Sequence, residues 1–174
     1  MKETDIKQAG DPVLREVAKP VSKDQITSPE IKQIIADMKS ALHDTKDGIA
    51  IAAPQIGKSV RIFIVSGAVF ATEENPEAED MIFINPDIIS TSRKKITLDE
   101  GCLSVRGKYG KTERSVQASV QAQDKNGVAF QLGASGLLAQ IFQHETDHLD
   151  GVLFIDKATD VEDVPTESKD ELTN

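Results

Sequence analysis

Residues 115–149 read SVQASVQAQDKNGVAFQLGASGLLAQIFQHETDHL, and a change of period inside this stretch sets the fold class. From 115 to 123 apolar and polar residues alternate, which puts Val116, Ala118, Val120 and Ala122 on one face of a half-buried strand. Asn126-Gly127 then offers a hairpin turn into VAFQL, so the stretch reads as an antiparallel pair with one wet side. From Ser135 to Leu149 the period becomes helical, with Leu137, Leu138, Ile141 and Phe142 leading into two histidines. Working outward, Ser28-Pro29-Glu30 is a helix start, and Ile31, Ile34, Ile35, Met38 and Leu42 recur at helical spacing up to Gly48. Asp11-Pro12 gives a weaker start signal for a short helix over 11–18. VRIFIVSG at 60–67 and MIFINPDII at 81–89 are strand-like, separated by the acidic loop TEENPEAED at 72–80. Strand runs with helices at either end, and no regular βαβ alternation, predict an α+β fold. Its antiparallel β-sheets pack around a C-terminal helix carrying HExxH, with N-terminal helices.

Composition narrows the function. The chain has 174 residues, 39% hydrophobic and 28% charged, a balance expected of one soluble domain. We expect a single catalytic domain over 1–158 and a flexible acidic tail over 159–174, where large apolar residues are scarce. A net charge of −9 argues against nucleic-acid binding, because phosphate-backbone binders cluster Lys and Arg. No apolar run approaches the roughly 18 residues of a membrane helix. MKETDIKQAGDP carries charges where a secretory signal needs an apolar stretch, which points to a cytoplasmic protein or to a chain lacking its targeting segment. With one cysteine, Cys102, no internal disulfide forms.

Positions 144 and 148 on a helix differ by about 40° net, so both imidazoles leave one face a turn apart, in chelating geometry. Glu145 lies about 100° round from His144, badly placed as a third ligand but well placed as a base toward bound water. One large protease class completes such a site with a histidine six residues past the second; Phe154 occupies that position. A downstream glutamate would have to come from Glu162, Glu167 or Glu171, all in the tail. His43 sits at a polar helix end (HDTKDG) and reads as an exposed C-terminal-turn histidine. Cys102, within EGCLS, remains: its thiolate is a strong ligand for borderline or soft divalent ions.

Three segments, GIAIAAPQ (48–55), EGCLS (100–104) and QHETDHLDG (143–151), resemble in order and separation the three motifs of the peptide deformylases. The likeness runs from GDPVLREVAKPV (10–21) to GVLFIDK (151–157). The resemblance implies Cys102, His144 and His148 as metal ligands, Glu145 as acid/base, and Gln55 with the backbone N–H of Leu103 as oxyanion donors. It implies Fe²⁺, with Ni²⁺, Co²⁺ or Zn²⁺ as substitutes. The implied reaction is removal of the formyl group from N-formylmethionyl peptides, the nascent chains of the ribosome, as formate. A water held by the cation would attack the formyl carbonyl. Apolar walls for methionine are expected from Leu137 and Ile141, seven and three residues before His144, and from Gly48, Ile49, Ala50 and Leu98. Glu100 and Arg114 are candidates for orienting the ligands.

Ala50 stands where the family normally has glycine, which restricts backbone conformation or close approach of substrate. Thr146 replaces a usual aliphatic residue, and Arg106 a frequent proline. The acidic tail does not resemble the basic ribosome-docking helix of some relatives. Two other readings stay open: a metallopeptidase or other amide hydrolase, and a deformylase-like metal-binding protein whose activity is altered by Ala50.

Overall fold

A computed structural model describes residues 2–163. Two helices and eight strands appear among them, with several short 3-10 turns. Helix α1 (Pro29–Asp44) begins as the sequence predicts: the Ser28 side chain accepts from the Ile31 N–H, and Pro29 fills the first turn. Strands β1 (Ala50–Ala52), β2 (Ile62–Val65), β3 (Met81–Thr91), β6 (Gln117–Gln123) and β7 (Ala129–Ser135) form one antiparallel sheet in the order β1-β2-β3-β6-β7. Strands β4 (Lys95–Gly101), β5 (Lys108–Ser115) and β8 (Thr159–Asp163) form a second, in the order β4-β5-β8. Helix α2 (Gly136–Leu149) follows β7 directly. The α+β class with antiparallel sheets and an HExxH helix is therefore observed.

The continuous apolar run IFIV of β2 is explained by burial on both faces. Ile62 and Ile64 join Ile31, Met38 and Leu42 of α1 in one core cluster. Phe63 and Val65 face the other way, into a cluster with Ala139, Ile141 and Phe142 of α2. There Phe63 stacks on Phe83 at 4.5 Å between centroids, and Phe142 meets Phe83 edge-on at 5.4 Å. The large sheet is thus clamped between α1 and α2. As expected, Ala118, Val120 and Ala122 of β6 turn inward, while Val116 precedes the strand half-buried.

Several elements differ from expectation. The short helix over 11–18 is a 3-10 turn of Pro12–Arg15, after which the chain is tied to the end of α2 by Ala18 N–H donating to Leu149 O (2.8 Å). That close approach explains Gly151. It has φ +74°, and a Cβ there would lie 2.6 Å from the Arg15 carbonyl oxygen. Pro86 lies inside β3, tolerated because the ladder is irregular between Ile84 and Asp87 and Asn85 has φ +50°. Residues 159–163, expected to begin a flexible tail, are strand β8. Their side chains are exposed and give no apolar signal, so main-chain pairing with β5 holds them. The rest of that expected tail, 164–174, lies outside the described residues.

Candidate metal centre

The chain brings three distant segments to one point. Cys102 immediately follows β4, His144 and His148 come from successive turns of α2, and Gln55 lies in the 3-10 turn Ala53–Ile56 after β1. One ligand atom from each of Cys102, His144 and His148 lies within 4.8 Å of the others. His148 Nε2 is 3.2 Å from Cys102 Sγ, and the two imidazole centroids are 4.9 Å apart. His43, by contrast, is exposed and bonded to Asp80 Oδ2 at 2.9 Å.

Burial alone would push the Cys102 thiol up, but the His148 charge and hydrogen bonds from both imidazoles outweigh it and bring the pKa to about 5. A thiolate is thus favoured at neutral pH. His144 is shifted the other way: burial disfavours its charge, yet its contacts with Cys102 and Glu100 raise its pKa well above the ordinary imidazole range. Glu145 is 4% exposed, and burial raises its carboxyl above the usual value against the pull of both histidines.

Glu100 on β4 and Arg114 on β5, both nearly fully buried, meet through their side chains, although the register pairs Glu100 with Gly110 and Arg114 with Ile96. Arg114 grips Glu100 with Nε–Oε1 at 2.7 Å and Nη2–Oε2 at 2.9 Å. Glu100 Oε2 then meets His144 Nδ1 at 3.2 Å, which orients that ring and leaves Nε2 as its ligand atom. Burial would raise the Glu100 pKa; the Arg114 and His144 bonds overcome this and hold it at about 2. The remaining Arg114 nitrogen, Nη1, donates to Asp147 Oδ2 (2.7 Å), whose other oxygen takes Lys157 Nζ (2.7 Å). Sequence reasoning missed Asp147, although its place between the two histidines was the available signal. It also missed Gln143, whose amide brackets the Ser115 backbone at 3.0 Å on both sides and docks α2 on the β5–β6 junction.

The Gln55 amide is fixed in orientation. Its Oε1 accepts from Ala52 N–H (2.8 Å), so Nε2 faces Ser104 Oγ (3.1 Å) and Cys102 Sγ (3.6 Å). Ser104, another residue the sequence reading passed over, is 0% exposed. Of the expected apolar walls, Ile141 is buried in the α2 cluster, Leu98 is half-buried, and Ile49 and Leu137 are exposed. Gly48 is needed for packing, since a Cβ there would strike Thr45 and Leu42 at the end of α1. Gly101 makes room for the Tyr109 ring on β5. Ala50 is an ordinary strand residue paired with Val65, so its Cβ imposes no backbone strain.

One thiolate and two imidazoles suit a borderline divalent cation such as Fe²⁺ or Zn²⁺. The buried Glu145 Oε2, which has no hydrogen-bond partner among the described residues, fits the same reading. An antiparallel α+β scaffold on which a cysteine meets the two histidines of an HExxH helix defines a metallohydrolase-type protein. A family model described as polypeptide deformylase matches residues 3–164, and the chain belongs to that family of hydrolases. It is 42% identical over 153 residues to the peptide deformylase of Halothermothrix orenii, covering 87% of this chain and 91% of that one. Among solved structures it is similar to a peptide deformylase from Synechococcus elongatus in complex with actinonin (TM-score 0.79, 38% identity, 89% of this chain and 80% of that one). It is also similar to the Met-Ala-Ser-bound class I type b peptide deformylase of Acinetobacter baumannii (TM-score 0.77, 31% identity, 87% and 96%).

Proposed function

We propose that this chain removes the formyl group from the N-terminal formylmethionine of nascent polypeptides, releasing formate, with residues 1–158 as the catalytic domain. The carrying observation is the meeting of Cys102, His144 and His148 beside a buried Glu145 and an oriented Gln55. The three side chains would hold Fe²⁺, or Ni²⁺, Co²⁺ or Zn²⁺ in its place. A cation held there would supply a Lewis acid and would lower the pKa of bound water from its bulk value toward about 7.

The protein's own groups do the rest. Glu145, one residue beyond His144 and raised in pKa by burial, takes the proton from the attacking water and returns it to the leaving amine. Gln55 Nε2 and the Leu103 backbone N–H donate to the oxygen on which charge develops, at about 3 kcal/mol per donor. Glu100, held by Arg114, fixes His144. Ile141, Leu98, Ile49, Leu137 and the Gly48–Ala50 backbone supply walls for the methionine side chain. A related structure that binds Met-Ala-Ser, a peptide beginning with methionine, supports this substrate class. No helix among the described residues is long and apolar enough to cross a membrane.

The test compares a formyl-Met peptide with its acetyl counterpart, using anaerobically purified protein and Glu145→Gln. Formyl-selective turnover that falls about 10²-fold or more in the variant is expected. Equal turnover of both peptides would favour a broader amide hydrolase, and an undiminished Glu145→Gln rate would remove Glu145 from its role.

A further inference from the structure

We infer that Ser104 is a positioning residue for Gln55, a role that rests on the oxyanion assignment proposed above. A glutamine side chain swings freely about its last torsion unless both edges of the amide are held. Here both are. The Ala52 N–H fixes Oε1 at 2.8 Å and the Ser104 hydroxyl oxygen accepts from Nε2 at 3.1 Å. The amide plane is thereby set, and with one Nε2 proton committed to Ser104 the other is directed to the Cys102 side, where Sγ lies 3.6 Å away. That second proton is the one assigned to the developing oxyanion.

Ser104 is itself immobilised. It is 0% exposed, its carbonyl accepts from Ala9 N–H at 2.7 Å, and its N–H donates to Cys102 Sγ at 3.4 Å. One residue thus holds the sulfur through its backbone and the amide through its hydroxyl, so ligand and donor keep a fixed relation. Without the hydroxyl, Nε2 would lose its oxygen partner in a buried place, and only the Oε1 bond and the longer Sγ contact would restrain the amide.

The hydroxyl can be removed without touching the backbone bond to sulfur. Wild type, Ser104→Ala, Gln55→Ala and the double variant are compared for kcat and KM on a formyl-Met peptide, with metal content and thermal unfolding measured alongside. Gln55→Ala is expected to lose about 10²-fold in kcat. Ser104→Ala is expected to lose about tenfold, with KM and metal content unchanged. The double variant should be no slower than Gln55→Ala, because Ser104 acts only through that amide. Ser104→Thr, which keeps the hydroxyl, should recover most of the loss. Independently of turnover, one side-chain amide proton of Gln55 in zinc-loaded wild type should exchange with solvent more slowly than those of exposed glutamines, and Ser104→Ala should abolish the protection. Losses that multiply in the double variant, full kcat in Ser104→Ala, or an unprotected Gln55 amide in wild type would each overturn the inference. An undiminished rate in Gln55→Ala would instead overturn the oxyanion assignment beneath it.

Discussion

Replacing Arg114 by methionine should cost far more than the loss of a surface ion pair. Arg114 is 3% exposed and Glu100 4%, and the variant leaves the Glu100 carboxylate buried without its two guanidinium bonds. Removing one partner of such a pair costs about 3–5 kcal/mol. The Glu100 pKa gives a second route to the figure. A fall from 4.5 to about 2 is worth about 3 kcal/mol, with Arg114 foremost among the groups that oppose burial and His144 supplying the rest. Because the folded value lies below the unfolded one, this stabilisation is complete above about pH 4.5 and disappears as the pH falls through 2. Urea unfolding at pH 7 should show a lower midpoint at unchanged slope. The melting temperature should drop by about 10 °C, and the gap to wild type should narrow below pH 4.5. Running both proteins with and without chelator separates metal linkage from the ion pair. Pairing Arg114→Met with Glu100→Gln should restore part of the loss. A decrease under about 1 kcal/mol in the single variant, the level of an exposed pair, would mean that the buried Glu100 carboxylate does not depend on Arg114.

Gly151→Ala should destabilise the fold by about 2 kcal/mol or more, measured by denaturant unfolding, since φ is +74° and the Arg15 carbonyl blocks the Cβ; a neutral result would contradict the packing described. Asp80 anchors the acidic loop through the Gly67 N–H (3.0 Å), His43 (2.9 Å) and Lys39 (3.4 Å). Burial disfavours its charge, but the Gly67 and His43 bonds prevail and lower its pKa, so the anchor holds above the unfolded carboxyl value and weakens as the pH falls through the folded one. Asp80→Asn should therefore speed proteolytic cleavage within 72–79 at pH 7, and unchanged cleavage would count against the anchor.

How much of this could be read from the sequence follows from where the apolar residues lie. Strand β6 and the helices α1 and α2 carry periodic apolar faces because each turns one side to a core and the other outward, so their existence was legible. Strands β4 and β5 were not. KITLDEG and KYGKTERS place charged residues on both faces, and the buried ones, Glu100 and Arg114, satisfy each other rather than an apolar core. The hairpin after β6 formed, but Asp124 organises it: its Oδ1 accepts from Asn126 and Val128 N–H, both at 2.8 Å, and Gly127 alone adopts positive φ there. At the site, the histidine pair followed from spacing alone, and Cys102 from its being the one thiol left. Asp147, Ser104 and Gln143 escaped notice because their roles depend on which segment lies opposite, a tertiary fact with no local period.

The central claim, that one sulfur and two imidazoles share a cation, is tested most directly by X-ray absorption at the metal edge of zinc-loaded protein. One sulfur scatterer is expected at about 2.3 Å with nitrogen and oxygen at about 2.0–2.1 Å, and a shell without sulfur in Cys102→Ser. A wild-type shell of nitrogen and oxygen only, or a sulfur signal that survives the substitution, would contradict it.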